Sequence, residues 1–358
     1  MLRKLPVLAV IAILIGTALL LPAPAPAQKV LKIGYPVWVG YGPLFLADKK
    51  GFLKDEGVSV QFINMEDTKT RYVALAAGKI DGLMTTIDTI VLRVRPDFQI
   101  AAVMAFDDSK GGDGIVADKA IKTIKGLKGK KVAYGEGSVS HFLLGYLLKQ
   151  NGMSFKDIVS VNMTAGEAGA AFVARKVDAA VTWEPWLTKG KSAAHGHLLA
   201  DSTTTPGLIV DVLVFRNDVL RARGDEVRKV VAAWHKGVEY WKAYPGESNQ
   251  IMADAIGGWL KDPKEFASTL TGIRYYDYAT NQAFFGSGGG AYKTAQFAID
   301  FWAAQDKVQI KGRTAAARTG VAPDLPQWRR TVHRRHRAGV DRALVWRGRA
   351  PAVPAVAL

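Results

Sequence analysis

The sequence predicts an α/β protein built as two similar lobes that face each other across a cleft. Three observations predict it. Short β-rich runs alternate with helical runs along most of the chain, the pattern of layered α/β domains. A helix–turn–strand unit occurs twice, as VALAAGKIDGLMT (73–85) and FVARKVDAAVT (172–182), each with a Lys-[Ile/Val]-Asp turn and a strand ending in Thr. A chain of 358 residues with 49% hydrophobic content can also bury two cores.

The elements follow in order. VLKIGY (30–35) is β-rich, and Gly42-Pro43 then opens a helix, because proline suits the first helical turn. VSVQFI (58–63) is a second strand and Thr70 to Ala77 a short helix. Ile80 to Met84 is a third strand and Ile87 to Val94 another helix. QIAAVMAF (99–106) is a buried strand, followed by DDSKGGDG as a polar loop. The series then restarts with the strand VAYG (132–135) and an apolar helix, HFLLGYLLKQNG (141–152), stopped at Gly152. IVSVNM (158–163) is a strand, Ala165 to Ala174 a helix and DAAVTW (178–183) a strand. From Asp211 come the strand VLVF and a long helix, Asp225 to Tyr244, with Trp234, Val238 and Trp241 on one face. Trp234, Trp241, Trp259 and Trp302 sit in helical patterns and are expected in the core.

The first 27 residues have the form of an export signal. Arg3 and Lys4 precede an apolar run from Leu5 to Leu21, and Ala25-Pro26-Ala27 offers a cleavage site before Gln28. The formal charge of +16 is concentrated at the ends: Arg3 and Lys4 give +2, and ten arginines against Asp324 and Asp341 give +8 from Arg313 onward, leaving +6 for the body. No nucleic-acid partner is expected from so ordinary a body. The tail, 313–358, contains no lysine and little periodicity. We read it as an atypical Arg-rich extension, either translated from a shifted frame or a genuine basic tail. The chain has no cysteine, which removes disulfides, thiolate metal sites and a cysteine nucleophile.

At this point the residues resemble a known family. GYGPLFLADKKGFLKDEGVSV, ALAAGKIDG, GSVSHFLLGYLL, AAFVARKVDAAVTWEPWL and TPGLIVDVLVFRNDVL, in that order between about 31 and 312, are similar to the taurine, aliphatic-sulfonate and nitrate binding proteins of ABC importers. Binders of thiamine-precursor pyrimidines are related to that group. The resemblance implies a type II periplasmic-binding-protein fold: lobe one from 28–117 and 212–312, lobe two from 118–211, and a hinge near Ile115–Ala117 and Asp211–Val214. It also implies a small-molecule ligand, an ABC permease with its ATPase as partners, a periplasmic location, a monomer and no cofactor.

Candidate ligand residues lie where strands end and helices begin, since helix N-termini present unpaired N–H groups and a positive dipole end. Three such places are Gly40-Tyr41-Gly42, Thr85-Thr86-Ile87-Asp88 and Gly137-Ser138-Val139-Ser140-His141. Ser138 or Ser140 equally serves as a helix cap; the family resemblance favours Ser138, Ser140 and His141 as ligand contacts. Trp38, Tyr41 and Trp183 are large aromatics on strand exits, positions that suit either a cleft wall or lobe packing. Asp88, Asp107, Asp108, Asp113, Glu136, Glu184 and Asp211 also fall on strand ends or loops. A desolvated carboxylate repels a simple anion, so Glu136, Glu184 and Asp88 favour an amine, an amidine or a zwitterion. Taurine reconciles the two signs and ranks first, a guanidinium- or pyrimidine-like solute second.

An enzyme is not expected. The pyrimidine-synthesising relatives depend on a cysteine-rich iron motif that this chain cannot supply. His141, His195 and His197 show no metal-ligand spacing, and no nucleophile elbow is present. A ligand-sensing domain of a signalling system stays open as the alternative to an importer component.

Overall fold

The computed structural model describes residues 29–95, 97–305 and 356–357. The expected signal segment (1–27) and nearly all of the Arg-rich tail (313–358) lie outside the described residues, as does the Trp259 side chain.

The first half opens with β1 (Leu31–Tyr35), α1 (Gly42–Lys49), α2 (Phe52–Asp55), β2 (Val60–Asn64) and α3 (Thr68–Ala76). It continues with β3 (Gly82–Thr86), α4 (Ile87–Arg93) and β4 (Ile100–Ser109). Pro43 stands in the first turn of α1, and the Asp67 side chain caps α3 by accepting from the Thr70 amide. β4 runs three residues past the expected boundary. Asp107, Asp108 and Ser109 are not loop residues but a buried strand end, each finding partners inside the protein.

The second unit comprises β5 (Asp113–Asp118), β6 (Lys131–Tyr134), α5 (Val139–Gln150), β7 (Val159–Asn162), α6 (Ala165–Val173), β8 (Ala179–Trp183), α7 (Trp186–Ser192) and β9 (Gly196–Asp201). β5 and β9 were not foreseen. The chain then returns through β10 (Val210–Arg216) to α8 (Asn217–Ala243), α9 (Pro245–Ile256), α10 (Pro263–Thr269), β11 (Ile273–Tyr275), α11 (Tyr278–Phe285) and α12 (Gly290–Ala304). The long helix begins eight residues before its expected start and breaks at Arg223, whose φ of −134° is not helical.

Two sheets result, and their plans match. In the first, β1 lies between β2 and β3, all parallel, and β10 runs antiparallel between β3 and β4. In the second, β6 lies between β7 and β8, all parallel, and β5 runs antiparallel between β8 and β9. β11 extends the first sheet beyond β4, where a two-residue strand, β12 (Val356–Ala357), also pairs. Strand membership puts the crossings at 110–112 and 202–209. Ile115–Ala117 therefore lies inside the second sheet and Asp211–Val214 inside the first. The crossings are tied together: the Ser109 and Ser202 hydroxyls are 2.8 Å apart, and the Gly111 amide donates to Ser202 Oγ at 2.7 Å.

The repeated unit explains the matching plans. Asp81 Oδ2 accepts from the Lys32 amide at 2.9 Å, and Asp178 Oδ2 accepts from the Lys131 amide at 2.7 Å. In each lobe the aspartate of the Lys-[Ile/Val]-Asp turn thus anchors the turn to the neighbouring central strand. Trp234 and Trp302 are fully buried, as expected of helix-face aromatics, and Trp241 is partly buried. Among the described residues, no helix is long and apolar enough to cross a membrane.

Candidate functional site

Strand register decides which side chains reach the gap between the sheets. In the first sheet Asp211 of β10 pairs with Thr86 at the end of β3 on one side and Asp107 of β4 on the other. In the second, Asp113 at the start of β5 pairs with Trp183 at the end of β8. Trp38 and Tyr41 arrive from the turn after β1, and Thr68 and Arg71 from the first turn of α3. All of these except Asp107, with Pro36, Thr85, Thr89, Val139 and Ile209, line one cavity between the two units. Its volume is about 30 Å³, and a single water needs roughly 10–15 Å³ on the same measure. It therefore admits only a few non-hydrogen atoms in this closed arrangement.

The two units touch across the cleft. Trp183 Nε1 donates to the Val37 carbonyl at 3.0 Å, and the Trp38 and Trp183 rings meet edge to face with centroids 6.4 Å apart. Arg93 donates to the Gly137 carbonyl at 3.2 Å, and Lys189 pairs with Glu265 at 3.0 Å. Away from the cleft, α12 bridges both units: Trp302 Nε1 donates to the Asp88 carbonyl, and its ring packs on His141 and Phe142.

The electrostatics are dominated by buried carboxylates. Tyr41 donates to Asp211 at 2.5 Å, and Trp38 Nε1 lies 3.2 Å from both oxygens of Asp107. Burial pushes Asp211 and Asp107 well above the usual carboxylate range; like charge from Asp107 and Asp113 adds to the shift of Asp211, and from Asp108 and Asp113 to that of Asp107. Burial raises Asp113 to about 7, with Asp88 and Glu184 adding to the shift and the Ser109 hydroxyl opposing it. Asp88 is likewise raised to about 7 by burial, its carboxylate oxygens having no hydrogen-bond partner among the described residues. Arg71 is the cation in the wall. Its guanidinium donates to the carbonyls of Met65 and Glu66 and to Thr68 Oγ1, while its buried Nε has no partner among the described residues.

Of the expected ligand residues, Trp38, Tyr41, Thr86, Trp183 and Asp211 line the cavity. The others lie elsewhere. Ser138 caps α5 and donates to the Gly135 carbonyl, and His141 Nδ1 accepts from the Gly137 amide inside a nest of Tyr134, Phe155 and Trp302. The Ser140 hydroxyl is buried beside them. Glu184 accepts from the Thr188 amide and hydroxyl, bracing α7, and Glu136 is exposed with its amide bound to Asn162. Asp88 is buried at the start of α4, behind the wall formed by Thr86 and Thr89. Cap serines and cleft serines carry the same local signature, so sequence alone could not separate them. Arg71 was missed because TKTRYVALA reads as an ordinary exposed helix start; Asp113 was noticed only as one acid among several.

Two α/β lobes of matching plan, crossed twice by the chain and closed on a cavity, define a class: the type II periplasmic-binding-protein fold. The chain belongs to the NMT1/THI5-like family, whose model matches residues 38–248, more than half of it. A Bacillus subtilis relative named as an aliphatic sulfonates-binding protein is 24% identical over 232 residues, covering 63% of this chain and 69% of that one. A Saccharomyces cerevisiae 4-amino-5-hydroxymethyl-2-methylpyrimidine phosphate synthase is 27% identical over 267 residues, 68% of this chain and 73% of that one. Among solved structures, the alkanesulfonate-binding protein from Xanthomonas axonopodis pv. citri, bound to MOPS, superposes with a TM-score of 0.63 at 22% identity, covering 80% of this chain and 95% of that one.

Proposed function

We propose that this chain is the extracytoplasmic solute-binding component of an ABC importer, which closes its lobes on a small nitrogen- or sulfur-containing solute and delivers it to a permease. One observation carries the reading: the cavity is walled from both lobes, by Trp38, Tyr41, Arg71 and Asp211 on one side and Asp113, Val139 and Trp183 on the other. A solute touching both walls favours the closed state over the open one, which is what a binding protein needs. The signal-like N-terminus and the sulfonate-binding relative support export and import. The synthase relative keeps an enzyme in view, but the cysteine-free sequence favours binding. The lobes turn about 110–112 and 202–209, where the Ser109–Ser202 pair holds the crossings together.

A thermal-shift panel of taurine, alkanesulfonates, nitrate, guanidinium and aminopyrimidines, followed by small-angle scattering, tests this. A true ligand at about 100 times its dissociation constant stabilises by about 2.7 kcal/mol and shrinks the radius of gyration. Binding without contraction, unchanged in Trp38→Phe and Trp183→Phe, rejects the cleft as the site.

A further inference from the structure

Asp113 and Asp211 occupy the same place in the two lobes. Superposing the repeated units on their Lys-[Ile/Val]-Asp turns matches Lys79 with Lys176, Asp81 with Asp178, and therefore Thr86 with Trp183. Asp211 is the antiparallel partner of Thr86 and Asp113 that of Trp183. Each lobe thus delivers one carboxylate, from the strand crossing next to its repeat, to opposite walls of one cavity. Both are at least 95% buried, and they act on each other electrostatically.

The neighbouring charges do not neutralise the pair. Asp107 and Asp88 add negative charge on the Asp211 side, and Glu184 does so on the Asp113 side. Tyr41 donates to Asp211, and the Tyr275 hydroxyl is committed to the Val39 carbonyl. Arg274 is taken by Asp108, and Arg93 by the Gly137 carbonyl. Arg71 bonds to Met65 and Glu66 through Nη1 and to Thr68 through Nη2, leaving its Nε and one Nη2 hydrogen for a guest. Trp38, Trp183 and Tyr41 surround the space with aromatic surface, which suits a cation and does nothing for an anion.

We propose that the solute carries a protonated nitrogen, as a small amine, amidinium or guanidinium, held jointly by Asp113 and Asp211, and that this bridge drives closure. The assignment rests on the cleft being the ligand site. Once ionised, two carboxylates on opposite walls of so small a cavity resist closing until a cation stands between them, and a cation in turn favours their ionised forms. The unpaired Arg71 Nε accommodates one acceptor on the same solute, so a zwitterion such as taurine fits, whereas methanesulfonate or nitrate has Arg71 alone to set against two carboxylates.

The test is calorimetric titration of the mature chain with guanidinium, methylammonium, taurine, methanesulfonate and nitrate at millimolar concentration. It is repeated on Asp113→Asn and Asp211→Asn, with scattering as the readout of closure. At least one nitrogen-bearing probe should bind, and each Asn variant should weaken it at least tenfold. Its affinity should rise about tenfold from pH 6 to pH 8, as a wall carboxylate titrating near 7 ionises. No response to any nitrogen-bearing probe overturns the assignment. So does methanesulfonate or nitrate binding that both Asn variants leave intact; if that binding still contracts the protein, the cleft stands as the site and only the charge assignment falls.

Discussion

Gly78 and Arg175 hold the same position in the two copies of the repeated unit, and both have left-handed backbone, at φ +67° and +58°. Each follows a helix, α3 or α6, and lets the chain turn toward the Lys-[Ile/Val]-Asp segment. Glycine takes that conformation freely, whereas an L-residue with a Cβ is strained there by about 1–2 kcal/mol. A Cβ at Gly78 would meet nothing nearer than the tip of Arg216 at 3.8 Å, so crowding does not enter. Gly78→Ala should therefore destabilise by about 1 kcal/mol through backbone strain alone, measured by urea denaturation. Arg175→Gly should not destabilise; a loss there would show that the Arg175 side chain, not its backbone, matters.

Trp183 gives a second prediction. Its Nε1 donates to the Val37 carbonyl across the cleft, while its ring rests on Trp38. Trp183→Phe keeps aromatic surface and deletes the donor, leaving a buried carbonyl unsatisfied. Ligand affinity should fall by about 1–3 kcal/mol, roughly tenfold or more, with a smaller contraction of the radius of gyration at a given ligand concentration. An unchanged contraction and affinity would mean that the bond does not contribute to closure.

Much of the fold was legible because it is periodic and repeated. The strands around Leu31, Val60, Val132 and Ala179, and the helices starting at Gly42, Ile87 and Ala165, stand within about two residues of their expected places. β5 and β9 were not read, because the pairing of each is settled by long-range partners rather than by its own pattern. Part of the cavity lining was legible. Trp38, Tyr41, Thr86, Trp183 and Asp211 stand at strand exits, which topology alone sends to the cleft. Ser138 and His141 lie outside that lining, and a helix N-terminus presents one motif whether it binds a solute or only caps itself. Arg71 and Asp113 became meaningful only once two distant segments were brought together.

Stability should depend on pH through the same carboxylates. Asp88 and Asp113 each titrate near 7 in the folded protein, against about 3.9 in an unfolded chain. Between these values the folded state holds more protons than the unfolded one, so stability falls as pH rises from about 4 to 7 and levels off above. Each group contributes a slope approaching about 1.4 kcal/mol per pH unit. His235 opposes this at lower pH: burial lowers it to about 4, so its contribution is lost as pH falls below about 6.5. The ligand-free protein should melt higher at pH 6.5 than at pH 8, and Asp113→Asn should reduce that difference. A parent and an Asn variant with parallel melting profiles would refute the assignment.

Gly40 offers the sharpest steric test of the cleft. A Cβ there would lie 1.8 Å from Asp107 Oδ2 and 2.5 Å from Nε1 of Trp38, which lines the cavity. Neither neighbour has an easy retreat, because Asp107 is fully buried and Trp38 is held between Asp107 and Trp183. Gly40→Ala should therefore cost about 1–3 kcal/mol of stability by overpacking and also push Trp38 into the space meant for solute. Gly246→Ala, where an added Cβ meets nothing within 4 Å, serves as the control for replacing glycine by alanine. Loss of binding in Gly40→Ala at a temperature where it remains folded, with Gly246→Ala binding normally, places the solute against Trp38. Normal binding by a folded Gly40→Ala would put the solute elsewhere.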